Sequence, residues 1–296
     1  MTSDRKRFVK MLIPVLLVVS APTVTHATSL CAHALTSAKD LNGAIRAIRC
    51  DTEGRHLVLV GDDHGSNEIP ALVADLVAAY SKDAPVRLGV EIEPFEQAHI
   101  QAYVASAGTE ADKNQLLHDN FWAAGQGRTS QAMVALIESV RRLRAQGRNV
   151  GIFTMVPSYP GDDVIEKNGG LSAYWNQGLA RAVVTKLGEL HGHGVVVAFM
   201  GSAHATIQLG AGKGAQTTAD LLARYSPYII HLDVHGQTWS CGSTGCGVSR
   251  AQSAPIAHGS AGIIEKREQN NRQLVQLWLR MPRLTPSPPA KTLAHK

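Results

Sequence analysis

Short apolar runs rich in β-branched residues recur along the chain and alternate with segments of helical spacing. In segments such as EIPALVADLVAAY and RTSQAMVALIESVRRLRAQG, apolar residues lie three and four positions apart, which is typical of helices with one buried face. Alternating strands and helices predict an α/β fold, with a mainly parallel central sheet and helices on both faces. The apolar runs occupy residues 56–60, 86–92, 149–155, 194–200 and 227–234.

Two regions depart from this alternation. Residues 94–147 contain helical segments and no strand pattern, so we expect a helical insertion after the second strand. The tail from residue 282 to 296 is rich in proline and is predicted to be disordered. The chain has 296 residues, of which 44% are hydrophobic and 18% charged, and this composition suits a well-packed core. Residues 28–281 are therefore expected to form a single α/β domain.

The first 27 residues have the order of a secretory signal peptide. Basic residues precede the apolar run MLIPVLLVV, and a short segment then ends at Ala27. This order predicts cleavage after Ala27 and an exported protein, periplasmic or secreted. The apolar run is too short for a comfortable membrane span, so no stable span is predicted. Cys31 suggests a lipoprotein as the less favoured alternative, because Leu30 precedes it where a small residue is expected.

The basic balance of the chain comes partly from this leader. The formal net charge is +5, and removing residues 1–27 takes away four basic residues and one acidic residue, which leaves +2. Residues 265–296 hold seven Lys or Arg against two Glu, so the rest of the body is weakly acidic. Since no basic patch is interleaved with aromatic residues, no nucleic-acid partner is predicted.

The four cysteines are an even number in a chain that is expected to be exported, which favours disulfides over thiol chemistry. Pairing of Cys31 with Cys50 and of Cys241 with Cys246 would staple an N-terminal helix and close a small Gly-rich loop. Other pairings remain open from the sequence alone. A thiolate zinc site would need shorter spacings and a reducing compartment.

Acidic and histidine residues follow three of the predicted strands. The first strand leads into GDDH with Asp62 and His64, the second ends at Glu91, and the fourth runs into GSAH with His204. Ligands bind outside the carboxyl ends of the strands in an open parallel sheet, so we expect these side chains to meet at one edge. Two histidines and a carboxylate suit a divalent metal with an open position for water. Without a metal, the same trio can supply a general base, an orienting carboxylate and an oxyanion partner.

Each of these residues also has an ordinary structural explanation. GDDH can form a turn, His64 can cap the following helix, and His204 can be a hydrogen-bonded core histidine. Glu91 can be a buried acid paired with an arginine. Their occurrence together at three strand ends favours a functional site. Spacing alone does not decide the matter, because no HExxH or HxH pair is present.

Arg128 is a further candidate, because it lies at the predicted start of the long helix, where the helix dipole disfavours a cation. It could bind a substrate carboxylate or pair with Glu91 or Glu93. The alternative is an ordinary surface arginine.

The motifs GDDHG, VEIEPFEQ and FMGSAH, with the segment NFWAAGQGRTSQAMVALIESVRRLRAQG leading into NVGIFTM, resemble the Tiki superfamily. This superfamily groups TraB/Tiki proteins, erythromycin esterase-like enzymes and ChaN-like haem-binding proteins. The similarity spans about residues 55–235. The family motif G-E-x-H stands here as GDDH, with Asp62 in place of glutamate, and G-N-x-H stands as GSAH, with Ser202 in place of asparagine. The acidic position after the second strand falls on Glu91.

The resemblance implies an α/β fold with a His/Glu site at the strand ends, which serves metal-dependent proteolysis, ester cleavage or haem capture in different branches. ChaN-like proteins commonly have an extra His pair shortly after the first motif, whereas this chain continues SNEIP. That difference weakens haem binding. The aromatic content of 5% is also low for a haem pocket, although Tyr159 could serve as a haem ligand.

We therefore expect an exported hydrolase that cleaves an ester, amide or peptide bond in a small-molecule or peptide substrate. His64 and His204 would act as metal ligands or as base and electrophile, Glu91 as ligand or base, and Asp62 as the orienting acid. One alternative is a haem- or metal-binding uptake protein without turnover. Another is a catalytically idle exported domain whose sheet edge binds a partner.

Overall fold

The predicted α/β fold is confirmed by a computed structural model, which describes residues 35, 38, 40–208, 216–243, 245–251, 260–269 and 273–291. A seven-stranded sheet lies at the centre, in the order β3-β2-β4-β1-β5-β9-β8. Neighbouring strands are parallel except for β8, which runs antiparallel to β9. The strands of this sheet are β1 (Leu57–Asp62), β2 (Val86–Val90), β3 (Val150–Thr154), β4 (Val195–Gly201), β5 (Tyr228–Asp233), β8 (Gly262–Gln269) and β9 (Leu274–Arg280). The remaining two strands, β6 (Gln237–Gly242) and β7 (Gly245–Arg250), form a separate antiparallel hairpin.

Helices connect the strands in the described part of the chain. The α-helices are α1 (Leu41–Asp51), α2 (Glu68–Tyr80), α3 (Gln97–Ala105), α4 (Glu110–Leu116), α5 (Gln131–Ala145), α6 (Asp162–Lys167), α7 (Leu171–Leu190) and α8 (Thr218–Leu222). Short 3-10 turns lie at Pro94–Glu96, Asn120–Ala123, Gly127–Thr129 and Ala223–Tyr225. The elements α3 to α5 and three of these turns lie between β2 and β3, where the sequence predicts a helical insertion.

The core lies on both faces of the sheet. Every residue of β1 is buried, as expected for a central parallel strand, and this explains its nearly continuous apolar sequence. Val58 and Val60 pack with residues of α1, α2 and α5, such as Ile48, on one face. On the other face, Leu59 packs with residues of α7 and α8, such as Leu179. Strand side chains alternate between the faces, so β1 joins both halves of the core.

The C-terminal segment differs from the sequence prediction, because residues 282–291 lie along the body of the protein. The Ser287 amide donates to the Gly65 carbonyl at 2.8 Å, and the Gln131 amide donates to the Pro288 carbonyl at 2.9 Å. Leu284 and Ser287 are buried. The prolines lack an N–H group, but their carbonyl oxygens still accept hydrogen bonds from neighbouring loops. The segment therefore supports the loops at the carboxyl edge of the sheet.

The structure describes only some of the features from which export was predicted. The disulfide between Cys241 and Cys246 is present, and it joins paired positions of the β6-β7 hairpin. Cys50 is also disulfide-bonded, while its predicted partner Cys31 and the predicted signal peptide 1–27 lie outside the described residues. Among the residues described, no helix combines the length and the apolar character that crossing a membrane requires.

Candidate active site

Three adjacent strands place the predicted site residues beside one another. The sheet order puts β4 between β2 and β1. Asp62 is the last residue of β1 and pairs in register with Gly201, the last residue of β4. Glu91 follows β2 directly, and His204 lies three residues beyond β4. Because neighbouring strands lie about 4.8 Å apart, side chains from these three ends can meet.

Two imidazoles face the same buried carboxylate. His64 Nε2 lies 3.6 Å from Glu91 Oε2, and His204 Nε2 lies 3.9 Å from Glu91 Oε1. The structure thus brings together the three residues that the strand ends singled out. Their catalytic roles remain predictions.

Beside the carboxylates of Asp62 and Glu91, the imidazole of His64 is positively charged. Its Nδ1 donates to Asp62 Oδ2 at 2.7 Å, so the ring is held with Nε2 toward Glu91. Burial alone would lower the pKa of His64, but the adjacent carboxylates of Asp62 and Glu91 outweigh it and raise this pKa to about 10. Burial raises the pKa of Asp62, and the charge of His64 opposes that rise. His64 is therefore an imidazolium at neutral pH.

Glu91 is ionised although it is buried. Burial favours its protonated form, yet the nearby imidazolium of His64 and the charge of Arg128 lower the pKa of Glu91 to about 2. The backbone amide of Gly201 contributes by donating to Glu91 Oε2 at 2.6 Å. A carboxylate held by several donors loses much of its basicity. Glu91 is consequently a fixed negative charge between the two histidines.

His204 is held in the neutral state by a different set of contacts. Its Nδ1 lies 2.7 Å from Asn176 Oδ1, and this oxygen also accepts from the Thr218 amide at 3.0 Å. An amide oxygen only accepts, so the proton of His204 is on Nδ1 and the lone pair is on Nε2. Burial lowers the pKa of His204, and nearby His64 and Arg128 act in the same direction against the opposing charge of Glu91. Nε2 can therefore accept a proton.

Arg128 reaches the same carboxylate from the helical insertion. Its Nη1 donates to the Glu91 carbonyl at 3.2 Å and lies 3.8 Å from Glu91 Oε1 and 3.5 Å from Glu93 Oε1. The expected start of the long helix is three residues too early, because Ser130 caps α5 by accepting from the Met133 amide. Arg128 lies instead in the preceding 3-10 turn.

The loops around the site pack closely on one another. A Cβ atom at Gly127 would come within 2.4 Å of the Gly65 nitrogen and 2.7 Å of His64 Cβ. Gly65 has a φ of +92°, and the Trp239 amide donates to its carbonyl at 2.8 Å. The β6-β7 hairpin and the loop carrying Arg128 therefore both press against the backbone after His64. Glycine is required here because no side chain fits.

An apolar cleft of about 550 Å³ adjoins the charged cluster. Arg128 lies over the ring of Trp175, with its guanidinium carbon 5.7 Å from the ring centre. Tyr159 is on the rim, with 68% of its surface exposed, and its hydroxyl donates to Asp162. This hydroxyl, the predicted haem ligand, is thus engaged within its own segment. The cleft is lined by Glu93, Pro94, Phe95, Val156, Pro157, Ser158, Tyr159, Leu171, Tyr174 and Trp175.

Asn176 was not found by sequence reasoning. It lies in α7, where the segment AYWNQGL gives no motif, and only its buried position in a helix interior is unusual. Trp175, which the sequence offers as a wall of a haem pocket, lines the apolar cleft. Two polar residues at predicted strand ends have other partners. Asp233 forms an ion pair with Arg280 at 2.9 Å, and Ser202 donates to Asp63 at 3.2 Å.

The cluster has metal-binding side-chain types, but its spacing does not match a metal site. Ligand atoms about 2.1 Å from a tetrahedral zinc ion lie about 3.4 Å apart. Across the described part of the chain, the only group whose ligand atoms all lie within 4.8 Å of one another is Glu96, His99 and Asp119. The predicted trio of His64, Glu91 and His204 is more open than this. Its two imidazoles lie 3.6 and 3.9 Å from the two oxygens of the Glu91 carboxylate.

The chain is similar to several solved protein structures. No protein-family model matches the chain, and no curated protein matches it. The type III effector HopBA1 is 12% identical, with a TM-score of 0.43 over 81% of this chain and 93% of that chain. RRSP, a MARTX toxin effector domain from Vibrio vulnificus, is 17% identical, with a TM-score of 0.42 over 76% of this chain and 40% of that chain.

A third solved structure is the C-terminal region of Pasteurella multocida toxin, described as having a thiol-protease like catalytic triad. It is 14% identical, with a TM-score of 0.42 over 83% of this chain and 34% of that chain. The chain thus spans nearly all of HopBA1 but two fifths or less of the two toxin structures.

Proposed function

We propose that this protein is an exported hydrolase that activates water beside Glu91 and cleaves an ester, amide or peptide bond. The observation that carries the proposal is that two histidines face one carboxylate while their Nδ1 atoms have different partners. His64 Nδ1 donates to the Asp62 carboxylate, which favours the imidazolium and raises the pKa of His64. His204 Nδ1 donates to the Asn176 amide oxygen, and burial lowers the pKa of His204, so its Nε2 lone pair is toward Glu91. An acid and a base fixed on either side of a small space are the elements of general acid-base catalysis. The resemblance to the Tiki superfamily agrees with this assignment.

The base side of the site can hold a water molecule. His204 Nε2 and Glu91 Oε1 are 3.9 Å apart, so one water oxygen can lie about 2.8 Å from both atoms. His204 takes the proton as the water oxygen bonds to the substrate carbonyl carbon. Glu91 orients the water and stabilises the charge that forms on His204. The ionised carboxylate itself is a weak base because its pKa is about 2.

The acid side of the site can stabilise the oxyanion. His64 Nε2 is 3.6 Å from Glu91 Oε2, which is beyond a normal hydrogen bond, so its N–H remains able to donate to a substrate oxygen. When the tetrahedral intermediate breaks down, the bond from carbon to the leaving group is cleaved. His204 returns its proton to the leaving group, and the products are a carboxylic acid and an alcohol or amine. Both histidines then regain their starting protonation states.

The adjoining cleft indicates the kind of substrate. Its walls are largely apolar and aromatic, with Phe95, Leu171 and Trp175 among them, and such a surface binds an apolar group. Glu93 and Arg128 lie between this cleft and the charged cluster. The substrate that fits best therefore has an apolar or aromatic group next to the bond that is cleaved.

The test is a panel of chromogenic esters and amides with short, long and aromatic acyl groups, assayed with the purified, disulfide-bonded protein. We expect turnover that favours the apolar and aromatic acyl groups. Glu91→Gln should lower kcat by about 10²-fold or more, because the neutral amide no longer stabilises the protonated His204. Thermal melting serves as the control for folding. Turnover that is unchanged in a folded Glu91→Gln variant would overturn the proposal.

A further inference from the structure

A second cluster of ionisable side chains lies in the helical insertion, apart from the active site. Glu96 ends the 3-10 turn after β2, His99 lies in the first turn of α3, and Asp119 precedes the turn Asn120–Ala123. His99 Nδ1 lies 3.7 Å from Glu96 Oε2 and 3.5 Å from Asp119 Oδ2. One ligand atom from each residue falls within 4.8 Å of the other two, an arrangement that no other such group among the described residues shares.

Two atoms of this cluster are buried without a hydrogen-bond partner. Glu96 is completely buried, and its Oε1 has no partner. His99 Nδ1, which faces both carboxylates, also has none. The other oxygen of Glu96 is occupied, since it accepts from Trp122 Nε1 at 3.0 Å. Buried polar atoms in proteins nearly always have a partner, so this pair of atoms requires an explanation.

We propose that Glu96, His99 and Asp119 bind a divalent cation, with zinc as the best match. Zinc is bound by imidazole nitrogens and carboxylate oxygens, and three such ligands leave a fourth position for water. The contacts of 3.5 and 3.7 Å are close to the roughly 3.4 Å that separates ligands around a tetrahedral zinc ion. A cation held by these three residues would give His99 Nδ1 the partner that it lacks.

The cation would cross-link two segments of the insertion. Glu96 and His99 come from its start, and Asp119 comes from the segment after α4. Glu93, three residues before Glu96, lines the cleft, and the chain after Asp119 continues to Arg128. The bound ion would therefore hold in place the segments that carry Glu93 and Arg128, and its role would be structural.

The test is a zinc titration of the purified, disulfide-bonded protein by isothermal calorimetry after dialysis against a chelator. We expect one zinc ion per chain, bound far more tightly than magnesium. Glu96→Gln keeps the volume of the side chain and an oxygen acceptor for Trp122, while His99→Ala removes the imidazole from a partly exposed position. Each should weaken zinc binding by at least about tenfold. No saturable binding, or an affinity in either variant equal to that of the original protein, would overturn the proposal.

Two further variants separate this site from other histidines. His193 is exposed, so His193→Ala controls for adventitious surface binding and should leave the affinity unchanged. His204→Ala should also leave it unchanged. Loss of binding in His204→Ala with full binding in His99→Ala would place the metal in the active site and contradict the proposal. Saturating zinc, about a hundredfold above the dissociation constant, should raise the melting temperature by about 5 °C in the original protein and in neither ligand variant.

Discussion

The active site and the metal cluster contain the same types of side chain, yet their surroundings give them different chemistry. In the active site, the Nδ1 atom of each imidazole, which points away from Glu91, has a hydrogen-bond partner. This partner is Asp62 for His64 and Asn176 for His204. In the insertion, His99 turns its Nδ1 toward two carboxylates, and this atom has no hydrogen-bond partner. The hydrogen bond on the far nitrogen decides whether an imidazole is an acid or a base. Where the imidazole nitrogen that faces the carboxylates has no hydrogen-bond partner, the same residue types can bind a cation.

The largest expected effect is the loss of the two active-site imidazoles. His204→Ala removes the base, and His64→Ala removes the acid, so each should lower kcat by about 10²- to 10⁴-fold. The double variant should be little worse than either single variant, because acid and base act on the same step. Steady-state kinetics with the best substrate of the panel would check this.

The matched control is His99→Ala, assayed in the presence and absence of added zinc. It should retain most of the activity, because its role is to stabilise the insertion. Equal losses in His99→Ala and His204→Ala would remove the distinction between the two clusters. If a chelator abolished activity while Glu96→Gln stayed active, the metal would serve the active site and the acid-base mechanism would be wrong.

A second prediction concerns stability against pH and follows from His64. Its pKa is raised from 6.5 to about 10, so its ion pair stabilises the folded state fully below pH 6.5 and loses this contribution as pH rises toward 10. The expected loss is on the order of 2–3 kcal/mol, a figure reduced for the partial exposure of the imidazole. Urea unfolding at several pH values would measure it.

The control for this prediction is His64→Ala, in which the dependence between pH 6.5 and 10 should largely disappear. Glu91 contributes to stability in a different pH range. Because its pKa is lowered, it stabilises the folded state above about pH 4.5, and this contribution is lost as pH falls toward 2. An original protein whose stability was flat from pH 6.5 to 10 would show that His64 is not held as a cation.

A third prediction concerns a variant in which His204, like His64, has a carboxylate at its Nδ1 atom. In Asn176→Asp, a carboxylate replaces the amide oxygen at His204 Nδ1, and the Thr218 amide and hydroxyl still donate to it. The pKa of His204 should rise by about one to two units, since an adjacent carboxylate favours the imidazolium. Two-dimensional NMR of the imidazole nitrogens would follow this titration. An unchanged pKa in the variant would show that Asn176 does not set the protonation of His204.

The smallest effect is expected from the disulfide of the β6-β7 hairpin. The hairpin packs on Gly65, and Cys246 Sγ would lie 2.8 Å from a Cβ atom at Gly125, in the loop that leads to Arg128. Replacing both Cys241 and Cys246 by serine should lower kcat about two- to fivefold, because the loops around His64 lose support. Activity assays with and without reductant would test it, and in the serine variant any remaining response to reductant should come from the disulfide of Cys50 alone.

The sequence predicts the layers of the fold but leaves out the order of the strands. Alternating apolar periodicity is sufficient for a parallel sheet with helices on both faces, and the strand ends point to Asp62, His64, Glu91 and His204. In the sheet, β4 lies between β2 and β1. This order depends on how segments that are distant in sequence pack together, and the apolar periodicity gives no information about that packing. The close approach of Glu91 to both histidines therefore required the structure.

Other features were missed for reasons of the same kind. Asn176 lies within an ordinary helical pattern, and only its contact with His204 gives it a role. Glu96, His99 and Asp119 lie in a region whose polar residues are typical of a solvated helix face. The expected disorder of the tail rested on its proline content, whereas its carbonyl groups accept hydrogen bonds from loops that are distant in sequence. In each case the deciding partner is far away along the chain.

The dependence of kcat/KM on pH tests the central claim most directly. With a neutral His204 as base and a charged His64 as acid, kcat/KM should rise through a pKa below 6.5, stay level across neutral pH, and fall as His64 loses its proton near pH 10. Asn176→Asp should move only the first of these transitions to higher pH. A profile that climbs steadily from pH 7 to 10, or that falls from pH 7 onward, would contradict the assignment of His204 as base and His64 as acid.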